Sequence, residues 1–293
     1  MGEMLRIDAG TGWGPAEQEA LDRCLSASGL SDRSFAMRAP LRLSRTIETE
    51  IIPRLLLAHL PRADEHAEGG TLELTYREVG EFTRVVLECE MPGVLAHLEA
   101  LRARGHALEA LFLHLFAPTA RLLGDMWRDD LCTFTDVTIG LSRLQQALRE
   151  LSPSFEAEAR PQQRGRILLA PMPGDQHSFG LSMLETFFRR GGWDVCGGAV
   201  HSRTELAAIA RDEWLDAIGL SLANEVLYSR LRPLIRALRK ASRNPSLFVM
   251  VGGPYFNDHP DRALDAGADT GAADAPDALR RADAGMKFAI ARC

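Results

Sequence analysis

Gly174-Asp175-Gln176-His177-Ser178-Phe179-Gly180 lies between a short apolar run, Arg166-Ile167-Leu168-Leu169-Ala170, and a stretch from Leu181 to Arg190. In that stretch Leu181, Leu184 and Phe188 recur at helical spacing. The order is strand, loop, helix, the unit of an α/β domain. Open parallel sheets hold ligands outside the carboxyl ends of their strands, so the loop places His177 on the ligand side. Asp175 can accept the proton on the far ring nitrogen, which fixes the tautomer and raises the basicity of the nitrogen left for a metal. Ser178 follows His177 at the helix start, and Gly180 removes a side chain where loop becomes helix. Taken alone, Asp-x-His-x-x-Gly is weak, because motifs this short match by accident.

Two later segments supply context. Leu215 to Leu222 and Leu247 to Gly253 read as further strands, ending on Ser221 and on the pair Gly252-Gly253. The hydroxyl of Ser221 and the bare glycines therefore fall on the same sheet edge as His177. This series resembles the cobalamin-binding domain of corrinoid proteins: Asp-x-His-x-x-Gly, then Ser-x-Leu, then Gly-Gly. The resemblance covers residues 164–293 and implies that His177 ligates cobalt from below, displacing the cofactor's own base. It implies further that Ser221 bonds that base, while Gly252 and Gly253 let the backbone approach the nucleotide tail. One departure stands out, since Ser221-Leu222-Ala223 carries alanine at the leucine position.

At 293 residues the chain has room for two cores, and an apolar content of 46% suits a globular protein. Its 34 basic residues are outnumbered by 40 acidic ones, giving a net charge of -6 and no general attraction to nucleic acid. The cations between Arg230 and Arg243 read as the solvated face of an amphipathic helix whose apolar stripe is Leu231, Leu234, Ile235 and Leu238. No apolar run approaches the roughly 20 residues of a membrane span, and no secretory signal is visible, so a cytoplasmic location without membrane contact is expected. Five scattered cysteines, Cys24, Cys89, Cys132, Cys196 and Cys293, argue against a disulfide framework or zinc site.

The expected architecture is α + α/β: an N-terminal helical bundle followed by a doubly wound, flavodoxin-like or Rossmann-like parallel sheet. Residues 1–40 read as a loosely structured segment, 41–155 as the bundle and 164–293 as the sheet domain. Helical stretches are expected from Ser44 through Leu60 and over 72–90, 92–103, 106–129 and 133–151. A linker follows from Ser152-Pro153-Ser154. His106 and His114, eight residues apart, would fall within about 80° on one helix.

Leu122-Leu123-Gly124-Asp125-Met126-Trp127 resembles the segment ahead of the corrinoid domain in cobalamin photoreceptors and methyltransferase modules. That resemblance implies that Trp127 covers the upper corrin face. Where the photoreceptors carry a Glu-His pair, this chain has Val137 and Thr138. A water, hydroxide or different histidine is then expected above the metal.

Over nearly the whole chain, Arg45 to His59, Gly174 to Gly180 and Phe187-Phe188-Arg189-Arg190-Gly191-Gly192-Trp193 resemble the AerR/PpaA family of antirepressors of purple-bacterial photosynthesis genes. This implies a non-enzymatic, light-responsive regulator that binds adenosyl-, methyl- or hydroxocobalamin and contacts a DNA-bound repressor. Independent DNA binding is expected to be weak. The alternatives are a corrinoid carrier for methyl transfer and a heme-binding sensor on the same scaffold. The cofactor-binding set is therefore Asp175, His177, Ser178, Gly180, Ser221, Gly252, Gly253 and Trp127, with His177 on the metal.

Overall fold

The computed structural model of the chain describes residues 74–158, 164–197 and 202–290, with side chains as far as Met286. The expected 1–40 segment and the helix from Ser44 through Leu60 lie outside these residues. Two compact units divide at Ala107 and Leu108.

In the first unit, α1 (Tyr76–Glu88) packs with α2 (Met91–Ala103). A reciprocal bond set at Thr75 and Glu78 starts α1 by satisfying its first free amides. His97 is buried on α2, stacked on the Phe82 ring at 5.4 Å. Burial foremost, and the nearby Arg104 charge, hold its pKa down to about 4 against the opposing pull of Glu78. The unfolded chain takes up this proton below pH 6.5, whereas the folded chain resists until about 4. The His97 contribution is thus complete above pH 6.5 and lost as pH falls through that window, by about 3 kcal/mol. Denaturant unfolding at pH 7 and 4.5 should reveal this loss, and His97→Phe should flatten it; an unchanged pH slope in the variant would refute the assignment.

The second unit opens with α3 (Leu108–Leu111), a π-helical turn over Phe112–Phe116 and α4 (Ala117–Arg128). Pro118 explains the wide turn. It has no amide to donate and its ring crowds the carbonyl four residues back, so the helix expands locally and the Ala117 amide bonds Phe112 instead. His106 precedes this helix in a loop and is buried, while His114 is exposed on the π-turn. The two histidines therefore do not share a regular helix, and the expected 80° relation does not hold.

Helix α5 runs from Phe134 to Ala157, through the expected linker start at Ser152-Pro153-Ser154. An internal proline costs a helix about 3 kcal/mol. Tertiary contacts offset it: Phe155 is fully buried against Phe112 and Phe187, and the Arg190 guanidinium sits 4.2 Å above its ring. A proline read from sequence alone shows the cost without these partners.

The sheet contains β1 (Arg166–Pro171), β2 (Asp194–Gly197), β3 (Ala217–Ser221), β4 (Phe248–Gly252) and β5 (Thr270–Gly271). All neighbours are parallel, in the order β2-β1-β3-β4-β5. This is the doubly wound, flavodoxin-like arrangement expected from the sequence. Alternate residues of β1 serve opposite cores. Ile167 and Leu169 pack with α6 (Phe179–Arg190) and α11 (Ala275–Ile290). Leu168 and Ala170 pack with α7 (Arg203–Asp212) and α8 (Tyr228–Ala241). Short helices α9 (Pro254–Asp258) and α10 (Arg262–Asp265) complete the second layer. Among the described residues, no helix is long and apolar enough to cross a membrane.

Candidate functional site

The order β2-β1-β3 makes the chain diverge in opposite directions from β1 and β3, which opens a crevice at their carboxyl ends. Met172-Pro173-Gly174-Asp175 turns the chain there. The Asp175 amide donates to the Met172 carbonyl at 2.7 Å, and Gly174 has φ +95. Proline followed by a glycine of positive φ suits a type II turn, because only glycine enters that region without steric cost.

The turn delivers Asp175 into the crevice with its side chain 2% exposed, leaving the His177 side chain 72% exposed. One carboxylate oxygen, Oδ1, lies 2.6 Å from His177 Nδ1 and accepts the His177 amide at 3.1 Å. The other, Oδ2, accepts the Ala223 amide at 2.7 Å. Burial acts to raise the Asp175 pKa, but the bonds from the Ala223 amide, the His177 ring and the His177 amide together hold it below the ordinary carboxylate range. Asp175 thus remains an anion, assigns the ring proton to Nδ1 and leaves the Nε2 lone pair outward, the form of imidazole that could serve a metal. Its second bond ties the loop after β1 to the loop after β3. Alanine at position 223 costs this arrangement nothing, since the backbone makes the contact.

The remaining motif positions share the edge. Pro171, Ser221 and Gly252 are register partners across β1, β3 and β4. Gly253 adopts φ +99 and ψ 174. A Cβ there would lie 2.7 Å from the Leu222 carbonyl oxygen and 2.8 Å from Ser221 Oγ. The protein's own backbone therefore demands this glycine. Gly252 is less confined, with the Ala272 carbonyl 3.1 Å from its imagined Cβ. Gly180 sits second in α6 and is exposed, with nothing within 4 Å of such a Cβ. Ser178 occupies the N-cap of α6, where its carbonyl accepts from the Ser182 amide and hydroxyl; its own hydroxyl makes no capping bond.

Trp127 arrives from a different element. Helices α5 and α6 run side by side in the same direction, since Ser152 meets Thr186, Phe155 meets Phe187 and Glu158 meets Arg190. At that offset the start of α6 lies level with about residue 146 of α5. The first three turns of α5 consequently overhang by roughly 17 Å, beyond the carboxyl edge of the sheet. Val137 and Thr138 occupy the overhang; Val137 is buried and the Thr138 hydroxyl donates to the Phe134 carbonyl at 2.8 Å.

The turn into α5 is fixed at both ends. The amides of Asp130 and Leu131 return to Trp127 and Met126, with Asp130 left-handed at φ 58, and a capping box joins Thr133 to Asp136. These bonds set Trp127 edge-on to Phe134 at 6.1 Å, with the two residues 51% and 68% exposed. Phe134 and the Ala223 amide were not identified from the sequence. The first carries no motif signal beyond proximity to Trp127, and the second is a backbone atom.

The family model of the B12 binding domain matches residues 165–282. The chain is 25% identical over 172 residues to an uncharacterized 20.5 kDa protein of the bchF-crtJ intergenic region of Rhodobacter capsulatus, spanning 58% of this chain and 89% of that one. It is also 25% identical over 135 residues to a corrinoid protein of Desulfitobacterium hafniense, spanning 45% of this chain and 62% of the relative. The fold resembles that of the monomethylamine corrinoid protein of Methanosarcina barkeri, with a TM-score of 0.60 and 17% identity over 71% of this chain and 99% of that chain.

Proposed function

We propose that the protein is a cobalamin-binding, light-responsive regulator, without enzymatic activity, that relieves repression by contacting a DNA-bound repressor. The observation that carries the cofactor assignment is the Asp175–His177 pair at 2.6 Å, anchored by the Ala223 amide at the β1/β3 crevice. His177 would hold the metal through Nε2, Asp175 would keep the ring oriented, and the open space at Gly180 would leave room for the cofactor beside α6. When bound, cobalamin supplies a cobalt centre whose upper bond to carbon is broken by light. Trp127 at the end of α4 and Phe134 at the start of α5 are exposed aromatic rings that would be suited to lie against a bound corrin.

A sensor requires two states that its ligand distinguishes energetically. The exposed Trp127–Phe134 pair is the element that would repack between two cofactor states, altering the start of α5. The regulatory role is supported by the similarity to the bchF-crtJ intergenic protein, together with the sequence resemblance to antirepressors of photosynthesis genes. The similarity to corrinoid proteins supports a second reading, a carrier of methyl groups between partner enzymes. Heme gains no support from these relatives.

One experiment separates the readings. Absorption is recorded in the dark and after illumination, and in each state the protein is added to a photosynthesis-gene repressor from the same genome bound to its operator. The regulator reading expects the spectrum, the proteolysis pattern around residues 127–138 and the repressor's DNA affinity to change together. A spectral change with no effect on the repressor in any cofactor state would remove the antirepressor role.

A further inference from the structure

Helix α8 carries seven exposed or partly exposed polar and charged residues but no acidic one: Tyr228-Ser229-Arg230-Leu231-Arg232-Pro233-Leu234-Ile235-Arg236-Ala237-Leu238-Arg239-Lys240-Ala241. Leu231, Leu234, Ile235 and Leu238 face the core. On the outer side, Arg232, Arg236 and Lys240 follow one another at four-residue intervals and are all exposed. Each interval advances about 6 Å along the helix and turns about 40° around it, so the three cations form a slanting row about 12 Å long on one side of the helix.

This row does not serve the fold. Like charges four residues apart each weaken a helix by a few tenths of a kcal/mol, and Arg230, in the first turn, opposes the positive end of the helix dipole. Among the described residues no carboxylate pairs with Arg232, Arg236 or Lys240. Their neighbours differ: Arg239 is tied to Asp269 at 2.8 Å, and Arg243 donates to the Asp212 carbonyl at 3.3 Å. Self-repulsion is thus retained, in a chain of net charge -6, where two nearby arginines have found structural partners.

The character of the face identifies the occupant. Stable protein interfaces centre on well-packed anchors, most often aromatic rings beside arginines. None of the exposed large apolar side chains lies on α8. A regular row of cations without such anchors complements a regular row of anions, and duplex DNA presents one phosphate per 3.4 Å of each strand. We propose that Arg232, Arg236 and Lys240 contact the phosphate backbone of duplex DNA, weakly and without regard to sequence. Resting on the regulator reading, this contact would steady the protein on DNA beside the repressor that it engages.

The test uses the full-length, cobalamin-loaded protein and a labelled duplex of about 30 base pairs with arbitrary sequence, at salt from about 50 to 200 mM. The wild type should bind at the low end, with affinity falling steeply as salt rises. Arg232→Gln/Arg236→Gln/Lys240→Gln should lower the slope of log affinity against log salt by about 2.7, because three phosphates are no longer neutralised. Its melting temperature should be unchanged or higher, since repulsion is removed, and its cobalamin spectrum should be intact. Absence of wild-type binding near 50 mM salt, or a variant with the wild-type slope, would overturn the proposal. So would tighter binding to poly-glutamate than to the duplex, which would assign the row to an acidic protein. Because no repressor is present, failure of the antirepressor reading leaves this result standing.

Discussion

His177→Ala should lose most of its cobalamin, or retain it with the cofactor's own base on cobalt. The loss should exceed the roughly 10- to 100-fold range typical when only a partner of a metal ligand is altered. That milder range is expected of Asp175→Asn. The amide side chain can still accept the Ala223 amide through its oxygen, but it no longer offers His177 a carboxylate. Equilibrium titration and absorption spectra distinguish the two variants. A histidine-ligated spectrum in His177→Ala would end the assignment of this residue to the metal. Equal losses in both variants would show that the carboxylate sets the loop, beyond orienting the ring.

Gly253→Ala should destabilise the cofactor-free protein by about 3 kcal/mol or more. Its backbone, at φ +99 and ψ 174, lies in a region occupied almost only by glycine, where another residue stores about 1–3 kcal/mol of strain. The added methyl would also press on the Leu222 carbonyl at 2.7 Å, an oxygen that accepts the Tyr255 amide and cannot easily retreat. Gly180→Ala should behave in the opposite way. A Cβ there would meet nothing within 4 Å and the residue stands in a helix, so the apo protein should be unaffected or gain up to about 1 kcal/mol, while cobalamin affinity falls. Thermal melts without cofactor, paired with cobalamin titrations, separate the two glycines. An apo Gly253→Ala protein as stable as wild type would refute the backbone argument, and unchanged cobalamin affinity in Gly180→Ala would remove Gly180 from the site.

The two glycines show how far a motif can be read. Both resemble ligand-facing positions in the chain, yet one answers to the protein's own carbonyl and the other to empty space. No residue pattern distinguishes these causes, because the atoms that crowd Gly253 come from Ser221 and Leu222, some 30 residues earlier. Ala223 carries the same lesson in reverse. It departs from the motif by side chain, but its amide bonds Asp175 from 48 residues away.

The apolar runs of β1, β3 and β4 and the helical spacing between them were legible in the sequence because local periodicity records which face each element buries. The Pro173-Gly174 pair likewise carries a local signal for the turn that presents Asp175. The N-terminal reach of α5 past α6, the passage of α5 through Pro153 and the pairing of Trp127 with Phe134 were decided by tertiary structure alone. Each depends on contacts between distant segments, such as Phe155 against Phe187, whose burial outweighs a local preference that the sequence states plainly. Apolar patterning sets the kind of sheet and the residues brought to its carboxyl edge; packing between distant segments sets which of them serve the backbone and which stand open.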